Sequence, residues 1–277
     1  MSPWSQKFIE LLSLSTRQAG AVASYLQGKV TVEEKPDEPT PEGQALTPVD
    51  LATQDLILHQ LRAQWPEVAV DAEEDTPLAH QFPHTSDDQP LIVLDPVDGT
   101  FNYSRGSPEY AVMAGLIYRA KFRAAVVFYP SLDATFWAAE GRGCFVVRGD
   151  SLPQQVELSS SPADGQLIDR ILVNTKVPES NQTSLKGIAA EVTVCRCSAY
   201  DSACLALGNA TASVAGARTD RRRAIPLYLS LAAGGTIRLG EQIWEGEDPA
   251  TLPAHSTPTI CAPDPISADR ILAAYSR

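Results

Sequence analysis

The chain has 277 residues, of which 44% are apolar and 20% are charged, so it can form one large domain or two modest ones with a sizeable core. Its formal net charge of -12 at pH 7 disfavours non-specific binding to nucleic acid or to an anionic membrane surface. The sequence has no apolar run long enough to cross a bilayer, and Lys7 and Glu10 interrupt any signal-peptide pattern. Its five cysteines are scattered and do not suit a disulfide framework. We therefore expect a cytoplasmic protein with reduced thiols.

The N-terminal quarter of the chain is predicted to contain two helices. Apolar residues recur at helical spacing over residues 5–27, which indicates a first helix. Proline and glutamate dominate residues 32–48, which predicts irregular structure there. Asp50 is then a suitable N-cap for a second helix, and Pro66 ends that helix.

Short apolar runs typical of strands begin after Pro66. They cover residues 68–70, 91–94, 111–117, 124–129, 135–138 and 144–147. The Ser/Pro-rich segment 150–165 predicts a linker between an N-terminal part, 1–155, and a C-terminal part, 156–277. In the second part, strands at 167–173 and 235–239 alternate with helices at 198–207 and 224–233. This alternation indicates mixed α and β layers.

The pattern with the clearest chemistry is the string Asp95-Pro-Val-Asp98-Gly-Thr100, which directly follows the apolar strand. A turn after the strand can bring Asp95 and Asp98 to one side, and magnesium prefers such oxygen ligands, often completed by phosphate and water. Gly99 allows close approach of the backbone to a ligand, and a helical turn that starts near Thr100 would direct free N–H groups at a phosphate. These residues predict a magnesium-type phosphate site, with Glu74 as its third carboxylate.

Two other interpretations of this string fit it less well. An Asp-rich turn that only satisfies its own amides explains either aspartate alone but not the whole string D-P-V-D-G-T-F-N-Y. Phosphatases of the haloacid dehalogenase type use the string D-x-D-G-T with a nucleophilic first aspartate, whereas the spacing here is D-x-x-D.

Several segments in order along the chain resemble the inositol monophosphatase family of magnesium-dependent, lithium-sensitive phosphatases. Asp95–Tyr103 is similar to the family string D-P-I-D-G-T-x-N-F, and Asp71–Asp75 is similar to G-E-E-S/T with Ala72 in place of glycine. The segments that extend the resemblance are Thr47–Asp55, Gly106–Pro108 and Val126–Phe145. The resemblance implies an α/β fold, layered as an αβαβα sandwich, with the C-terminal part completing the substrate site.

The resemblance also implies roles for individual residues. Glu74, Asp95, Asp98 and the carbonyl of Val97 would hold a first magnesium ion, and Asp98 would also face a second metal site. The residues that would position and deprotonate the attacking water are Asp50, Glu74 and Thr100. The amides of Gly99 and Thr100 would hold the substrate phosphate. The implied substrate is a small phosphorylated polyol, sugar or nucleotide. The string Thr100–Tyr103 is most similar to the inositol-phosphate branch. A homodimer is also consistent with the resemblance.

The C-terminal part departs from the family at one position of chemical importance. In the family, an aspartate in the segment W-D-x-A is the main ligand of the second metal, and counting back from Ala233-Gly234-Gly235 places Arg222 there. Arg222 can point inward, replace that metal's charge and grip phosphate, or it can point outward as part of a solvated basic run. A two-residue shift would instead let Asp220 supply the carboxylate.

Pro226 suits the first turn of a helix and predicts a helix start near Ile225. Two functions follow from the changed segment. The leading hypothesis is a magnesium-dependent phosphomonoesterase that uses metal-activated water, with one Mg²⁺ site expected and the second left open. The alternative is a catalytically weak or inactive relative that binds a phosphorylated ligand or a protein partner, because Arg222 replaces the second-metal aspartate.

Overall fold

The computed structural model describes residues 3–31, 33–34, 45–86, 88–158, 166–216, 220–252 and 258–276. The α-helices within these ranges are α1 Pro3–Leu26, α2 Pro48–Gln64, α3 Thr100–Ser104, α4 Glu179–Lys186, α5 Ser198–Ala206, α6 Arg221–Ala232 and α7 Pro265–Tyr275. The strands are β1 Glu33–Glu34, β2 Ala45–Leu46, β3 Ala69–Ala72, β4 Leu91–Asp98, β5 Ala111–Tyr118, β6 Lys121–Tyr129, β7 Ala134–Ala139, β8 Gly143–Arg148, β9 Gln154–Val156, β10 Ile168–Asn174, β11 Ala189–Cys195, β12 Ala212–Ala215, β13 Thr236–Leu239, β14 Gln242–Ile243 and β15 Thr259–Ala262.

The first large sheet contains seven strands, β3 to β9, arranged in chain order. β3 runs parallel to β4, and every later pair in this sheet is antiparallel. Side chains of β4 alternate between the two faces: Ile92 and Leu94 join one core cluster, whereas Leu91 and Val93 join another. Because both faces are buried, the strand reads as one continuous apolar run.

The second sheet has the strand order β11-β10-β12-β15-β13-β14. α1 and α2 cover the outer face of the seven-stranded sheet. α5 and α6 lie between the two sheets, because their apolar residues share one core with both of them. α4 and α7 cover the far face of the six-stranded sheet. The expected αβαβα sandwich is therefore confirmed.

The helix starts differ from the sequence-based expectations at α2. Its N-cap is Thr47 and not Asp50: the Thr47 hydroxyl accepts from Val49 N–H at 3.3 Å, and Asp50 Oδ2 accepts from Thr47 N–H at 2.8 Å. This reciprocal capping box places the acid three residues inside the helix. The irregular stretch expected over 32–48 also contains the short strand pair β1–β2, while residues 32 and 35–44 lie outside the described ranges.

The start of α6 was also predicted wrongly. The helix begins at Arg221, four residues before the expected Ile225, because the Asp220 carboxylate caps it by accepting from Arg223 N–H at 2.9 Å. Pro226 consequently lies inside the helix, where its missing N–H leaves the carbonyl of Arg222 without the usual helical donor. The elements that the sequence patterns did not predict are β1, β2, β9, α4, β11, β12, β14, β15 and α7.

The expected linker over 150–165 is partly ordinary sheet. β9 pairs with β8, and Leu158 N–H donates to the carbonyl of Ala233 at 3.0 Å, whereas residues 159–165 lie outside the described ranges. A boundary between residues 155 and 156 stays a prediction. In the ranges that the structure covers, no helix is both long and apolar enough to cross a membrane.

Candidate active site

The Asp95–Thr100 turn lies where β4 ends and α3 begins. The pairing of β4 with β5 shifts register between Asp95 and Asp98, and Gly99 follows with φ of 88° as the N-cap of α3. A Cβ atom on Gly99 would lie 2.8 Å from the carbonyl oxygen of Glu109 and 3.2 Å from Cys197 Sγ. Because only glycine tolerates both that φ and this close approach, the turn depends on Gly99.

Asp95 is the most buried carboxylate of this turn, with 6% of the residue exposed. Its Oδ1 accepts from the N–H of Val97 at 3.2 Å, and its carboxyl is hydrogen-bonded to that of Glu73. Burial raises the pKa of Asp95 well above its usual range; the negative charges of Glu73 and Asp98 add to the rise, whereas the charge of Arg222 opposes it. The cluster thus holds more negative charge than its own cations balance.

The structure brings Glu73 to Asp95, whereas the sequence analysis named Glu74 as the third carboxylate. β3 pairs with β4 in parallel up to Ala72 opposite Leu94, so the next step along each strand places residue 73 beside Asp95. The backbone N–H and C=O of Glu74 are held by the side-chain amide of Gln54, at 2.8 and 2.7 Å. A sequence signal for Glu73 was available: Ala72 stands at the glycine position of the G-E-E-S/T string, so Glu73 is the first glutamate of that string.

Asp98 faces the N-terminus of α5. Its Oδ2 accepts from the N–H of Ala199 at 2.7 Å and from the thiol of Cys197 at 3.0 Å, and the hydroxyl of Ser198 is 3.2 Å away. Burial raises the pKa of Asp98, while the hydrogen bonds from Ala199, Cys197 and Ser198 lower it. These three partners were not found by sequence reasoning, which predicted a helix over 198–207 but had no signal for its direction.

Asp50 and Thr100, to which the resemblance gave a role toward the attacking water, form a hydrogen-bonded pair. Thr100 Oγ1 lies 3.0 Å from Asp50 Oδ1 and 2.8 Å from the carbonyl oxygen of Val97, so its single proton can go to either acceptor. Burial raises the pKa of Asp50 to about 6, although hydrogen bonds from Thr47 and Thr100 oppose the rise. A carboxylate with such a pKa can accept a proton near neutral pH.

Arg222 points toward the acidic cluster. Its Nη1 lies 3.7 Å from Asp71 Oδ1. Partial burial lowers the pKa of Arg222, but the negative charges of Glu73, Asp220 and Asp95, together with Asp71, raise it overall. The side chain is 34% exposed, so it is reached by solvent while it faces the carboxylates.

A second arginine, Arg221, fixes the carboxylate that Arg222 contacts. Arg221 Nη1 donates to Asp71 Oδ2 at 3.0 Å, and Arg221 Nη2 donates to Asp248 Oδ2 at 2.7 Å. The Asp248 side chain is only 5% exposed. Asp220, the alternative source of a carboxylate, is half exposed and caps α6.

The donor set fits a hard cation, although no complete cage is present. Among the residues that the structure describes, no three His, Cys, Asp or Glu side chains already converge as a metal cluster. Magnesium is usually held by one or two carboxylates, with water and substrate phosphate as the other ligands. Asp95, hydrogen-bonded to Glu73 and close to Asp98, provides buried carboxylate oxygens whose mutual repulsion a cation would relieve.

Comparisons with known proteins show to which family the chain is similar. A family model described as "Inositol monophosphatase family" matches residues 4–237. The chain is 27% identical over 186 residues to inositol monophosphatase 3 of Solanum lycopersicum, which covers 61% of this chain and 69% of that protein. It is 32% identical over 132 residues to the 3'(2'),5'-bisphosphate nucleotidase CysQ of Salmonella typhimurium, which covers 45% of this chain and 52% of that protein. The chain spans about half the length of several curated relatives that it matches.

Solved structures show the same fold. A Thermotoga maritima IMPase superposes with a TM-score of 0.78 at 20% identity, over 98% of this chain and 97% of that chain. An IMPase/NADP phosphatase complexed with Mg²⁺ and phosphate superposes with a TM-score of 0.76 at 19% identity, over 97% of this chain and 95% of that chain. The family model covers most of the sequence, and the fold agrees along nearly the whole chain. The chain belongs to the inositol monophosphatase family.

Proposed function

We propose that the protein is a magnesium-dependent phosphomonoesterase that acts on a small phosphorylated polyol, sugar or nucleotide. Membership of the family places the chain among the phosphoric monoester hydrolases. The observation that carries the proposal is the buried Asp95–Glu73 pair close to Asp98, where burial and like charge raise the carboxyl pKa of Asp95. Such a cluster is expected where a cation belongs, because a bound cation removes the repulsion.

Glu73, Asp95, Asp98 and the carbonyl of Val97 would hold the magnesium ion, with Glu73 in the role that the sequence resemblance assigned to Glu74. Bound magnesium would make a coordinated water nucleophilic near neutral pH and would neutralise charge on the transferring phosphoryl group. The amides of Gly99 and Thr100 would hold the substrate phosphate.

Asp50 and Thr100 supply the route for the proton of the attacking water. Thr100 Oγ1 is held within 3.0 Å of Asp50 Oδ1. As the hydroxyl accepts a proton from water, it can donate its own proton to Asp50 Oδ1. Burial keeps the pKa of Asp50 at about 6, which lets this carboxylate take up and release the proton near neutral pH.

Arg222 takes the place of a second cation in this proposal. A divalent ion about 5 Å from a guanidinium would be repelled by about 7 kcal/mol at an effective dielectric constant of about 20. One magnesium ion and one inward arginine are therefore expected, with the planar guanidinium gripping the substrate phosphate. The same inward arginine favours the second candidate function, a weakly active or inactive relative that binds a phosphorylated ligand or a protein partner.

Phosphate release from a panel of phosphomonoesters distinguishes the two functions. We expect magnesium-dependent turnover of at least one small substrate by the wild type, and its loss in Asp98→Asn. Asp88→Asn, an exposed acid on a loop, is the matched control and should keep full activity. Folded wild-type protein without magnesium-dependent turnover on any substrate would favour the binding protein.

The number of metal ions is tested separately by titration with Mn²⁺, followed by electron paramagnetic resonance. We expect one tightly bound ion in the wild type and two in Arg222→Asp, together with weaker phosphate binding by the variant. Two tight ions in the wild type would contradict the single-metal proposal.

The expected cytoplasmic location is supported by the cysteines, all five of which carry free, buried thiols. A homodimer stays a prediction.

A further inference from the structure

An aromatic ring with two arginines against it lies beside the phosphate turn. The Cζ atom of Arg105 is 4.4 Å from the ring centroid of Phe101, and the Cζ atom of Arg196 is 5.7 Å from it. Both arginines are exposed, and Phe101 is half-buried. Arg105 follows Phe101 by four residues, the spacing that places two side chains on one helical face, whereas Arg196 comes from the segment before α5.

Both sides of this cluster are connected directly to the acidic centre. Phe101 is the residue after Thr100, whose hydroxyl contacts Asp50. Arg196 is the residue before Cys197, whose thiol contacts Asp98 at 3.0 Å. Since neighbouring Cα atoms are about 3.8 Å apart, the backbones of Phe101 and Arg196 lie next to residues of the candidate active site.

Two exposed arginines on one aromatic ring are unusual in a chain whose net charge is -12. Stacking on an aromatic ring uses the face of a guanidinium, whereas hydrogen bonds to anions use its edge. The fixed fork of N–H groups pairs with phosphate through two parallel hydrogen bonds. A ring that orients Arg105 and Arg196 therefore prepares them to bind an anion.

We propose that Arg105, Phe101 and Arg196 form a second anion subsite, and that the preferred substrates carry a second phosphate besides the one that is hydrolysed. The subsite deepens the proposed function, because it rests on the Asp95–Thr100 turn as the place of the reacting phosphate. It binds the non-reacting phosphate through Arg105 and Arg196, and it does not require a nucleobase.

The test compares two substrates that differ in one phosphate, 3'-AMP and adenosine 3',5'-bisphosphate. We expect wild-type kcat/KM for release of the 3'-phosphate to be at least about tenfold higher for the bisphosphate, the size expected of one charge-assisted hydrogen bond. Arg105→Gln and Arg196→Gln should each reduce this ratio severalfold or more. Arg142→Gln, an exposed arginine at the opposite end of the seven-stranded sheet, should leave the ratio unchanged. Equal losses on both substrates would overturn the subsite.

A binding measurement separates failure of the subsite from failure of the proposed function. Calorimetry with Ca²⁺ in place of Mg²⁺ reports the affinity for each nucleotide without requiring turnover. Tighter binding of the bisphosphate, weakened by Arg196→Gln and by added salt, supports the subsite even if no hydrolysis occurs. Equal affinity for the two nucleotides overturns the subsite even if the enzyme is active. A preference that Arg196→Gln and Arg105→Gln leave intact places the second phosphate elsewhere and also overturns it.

Discussion

At the scale of single residues, the end of β3 shows how one step along a strand changes chemistry. The carboxyl of Glu73 is hydrogen-bonded to that of Asp95, one residue beyond the last β3–β4 pair, while the backbone of Glu74 is held by the side chain of Gln54. The two glutamates are chemically identical and adjacent, so only the register of β3 distinguishes them.

This difference gives a paired prediction. Glu73→Gln should weaken magnesium binding more than about 100-fold and abolish phosphate release, because loss of a direct ligand should exceed the 10- to 100-fold effect typical of outer-shell partners. Glu74→Gln should change magnesium affinity by less than about threefold, and calorimetric titration measures both. A larger loss in Glu74→Gln than in Glu73→Gln would show that the assignment is reversed.

Asp201 presents a different residue-scale feature, since it is buried in α5 with 8% exposure. Its Oδ1 has no hydrogen-bond partner among the residues that the structure describes. Burial raises its pKa to about 7, a hydrogen bond with Cys195 opposes the rise, and the charge of Asp98 adds to it. The folded state therefore holds this proton at pH values where the unfolded chain has already released it.

The sign of the resulting pH dependence follows from that difference. Between the unfolded pKa near 4 and the folded pKa near 7, the folded state binds more protons, so stability falls as pH rises. Asp201→Asn removes this effect. In EDTA, the free energy of unfolding of Asp201→Asn minus that of the wild type should rise by about 2 kcal/mol between pH 5.5 and 8.5. This magnitude follows from about 1.36 kcal/mol per pKa unit. Urea unfolding measures it, and a pH-independent difference would contradict the assignment.

At the scale of elements, an ion network joins β3, α6 and the segment after β14. Arg221 donates to Asp71 on β3 and to Asp248, whose side chain is 5% exposed. Asp248 N–H also donates to the carbonyl of Ala120, at 2.8 Å. The start of α6, and with it the direction of Arg222, is fixed by this network.

Arg221→Gln should therefore lower the free energy of unfolding by about 3 kcal/mol, because it leaves the nearly buried Asp248 carboxylate without its cation. The neighbouring Arg223 provides the control. It is paired at 3.8 Å with the half-exposed Asp220, so Arg223→Gln should cost less than about 1 kcal/mol. Equal losses in the two variants, measured by urea unfolding, would show that the Arg221 network does not brace the helix.

The elements also show what the sequence could predict. The strands β4 to β8 were predictable because their apolar runs are long and both sheet faces are buried. The start of α6 was not, because the strong local signal of Pro226 was outweighed by capping at Asp220 and by the distant partners of Arg221. The hydrogen bonds from α5 to Asp98 join residues about a hundred positions apart, which no local pattern encodes.

At the scale of the whole molecule, the candidate site collects groups from both halves of the chain. The carboxylates come from α2, β3 and β4, whereas Arg222 and the Ala199 amide come from α6 and α5. The N-terminal contribution was recognisable from its motif, because its residues lie close together in the sequence. The C-terminal contribution depends on how the two sheets pack on α5 and α6.

Magnesium should stabilise the whole fold, because the proposed carboxylate site exists in the folded state and not in the unfolded chain. At 100 times its dissociation constant, a ligand adds about 2.7 kcal/mol, which corresponds to a rise in Tm of about 5–10 °C for a chain of this size. Differential scanning fluorimetry should show this rise in the wild type and not in Glu73→Gln, with sodium chloride of equal ionic strength as the control. A rise of equal size in both proteins would mean that magnesium acts on surface charge alone.

The shared carboxylate of Asp71 has an evolutionary consequence. One carboxylate oxygen of Asp71 forms an ion pair with Arg221 and the other with Arg222. A substitution at position 71, 221 or 222 therefore changes the charge balance at the other two. Replacement of Arg222 by an aspartate would place a new acid beside Asp71 and Glu73. Relatives with an aspartate at the position of Arg222 are thus expected to lack the acid at position 71. These positions should change together, and as a group they would mark a separate branch of the family.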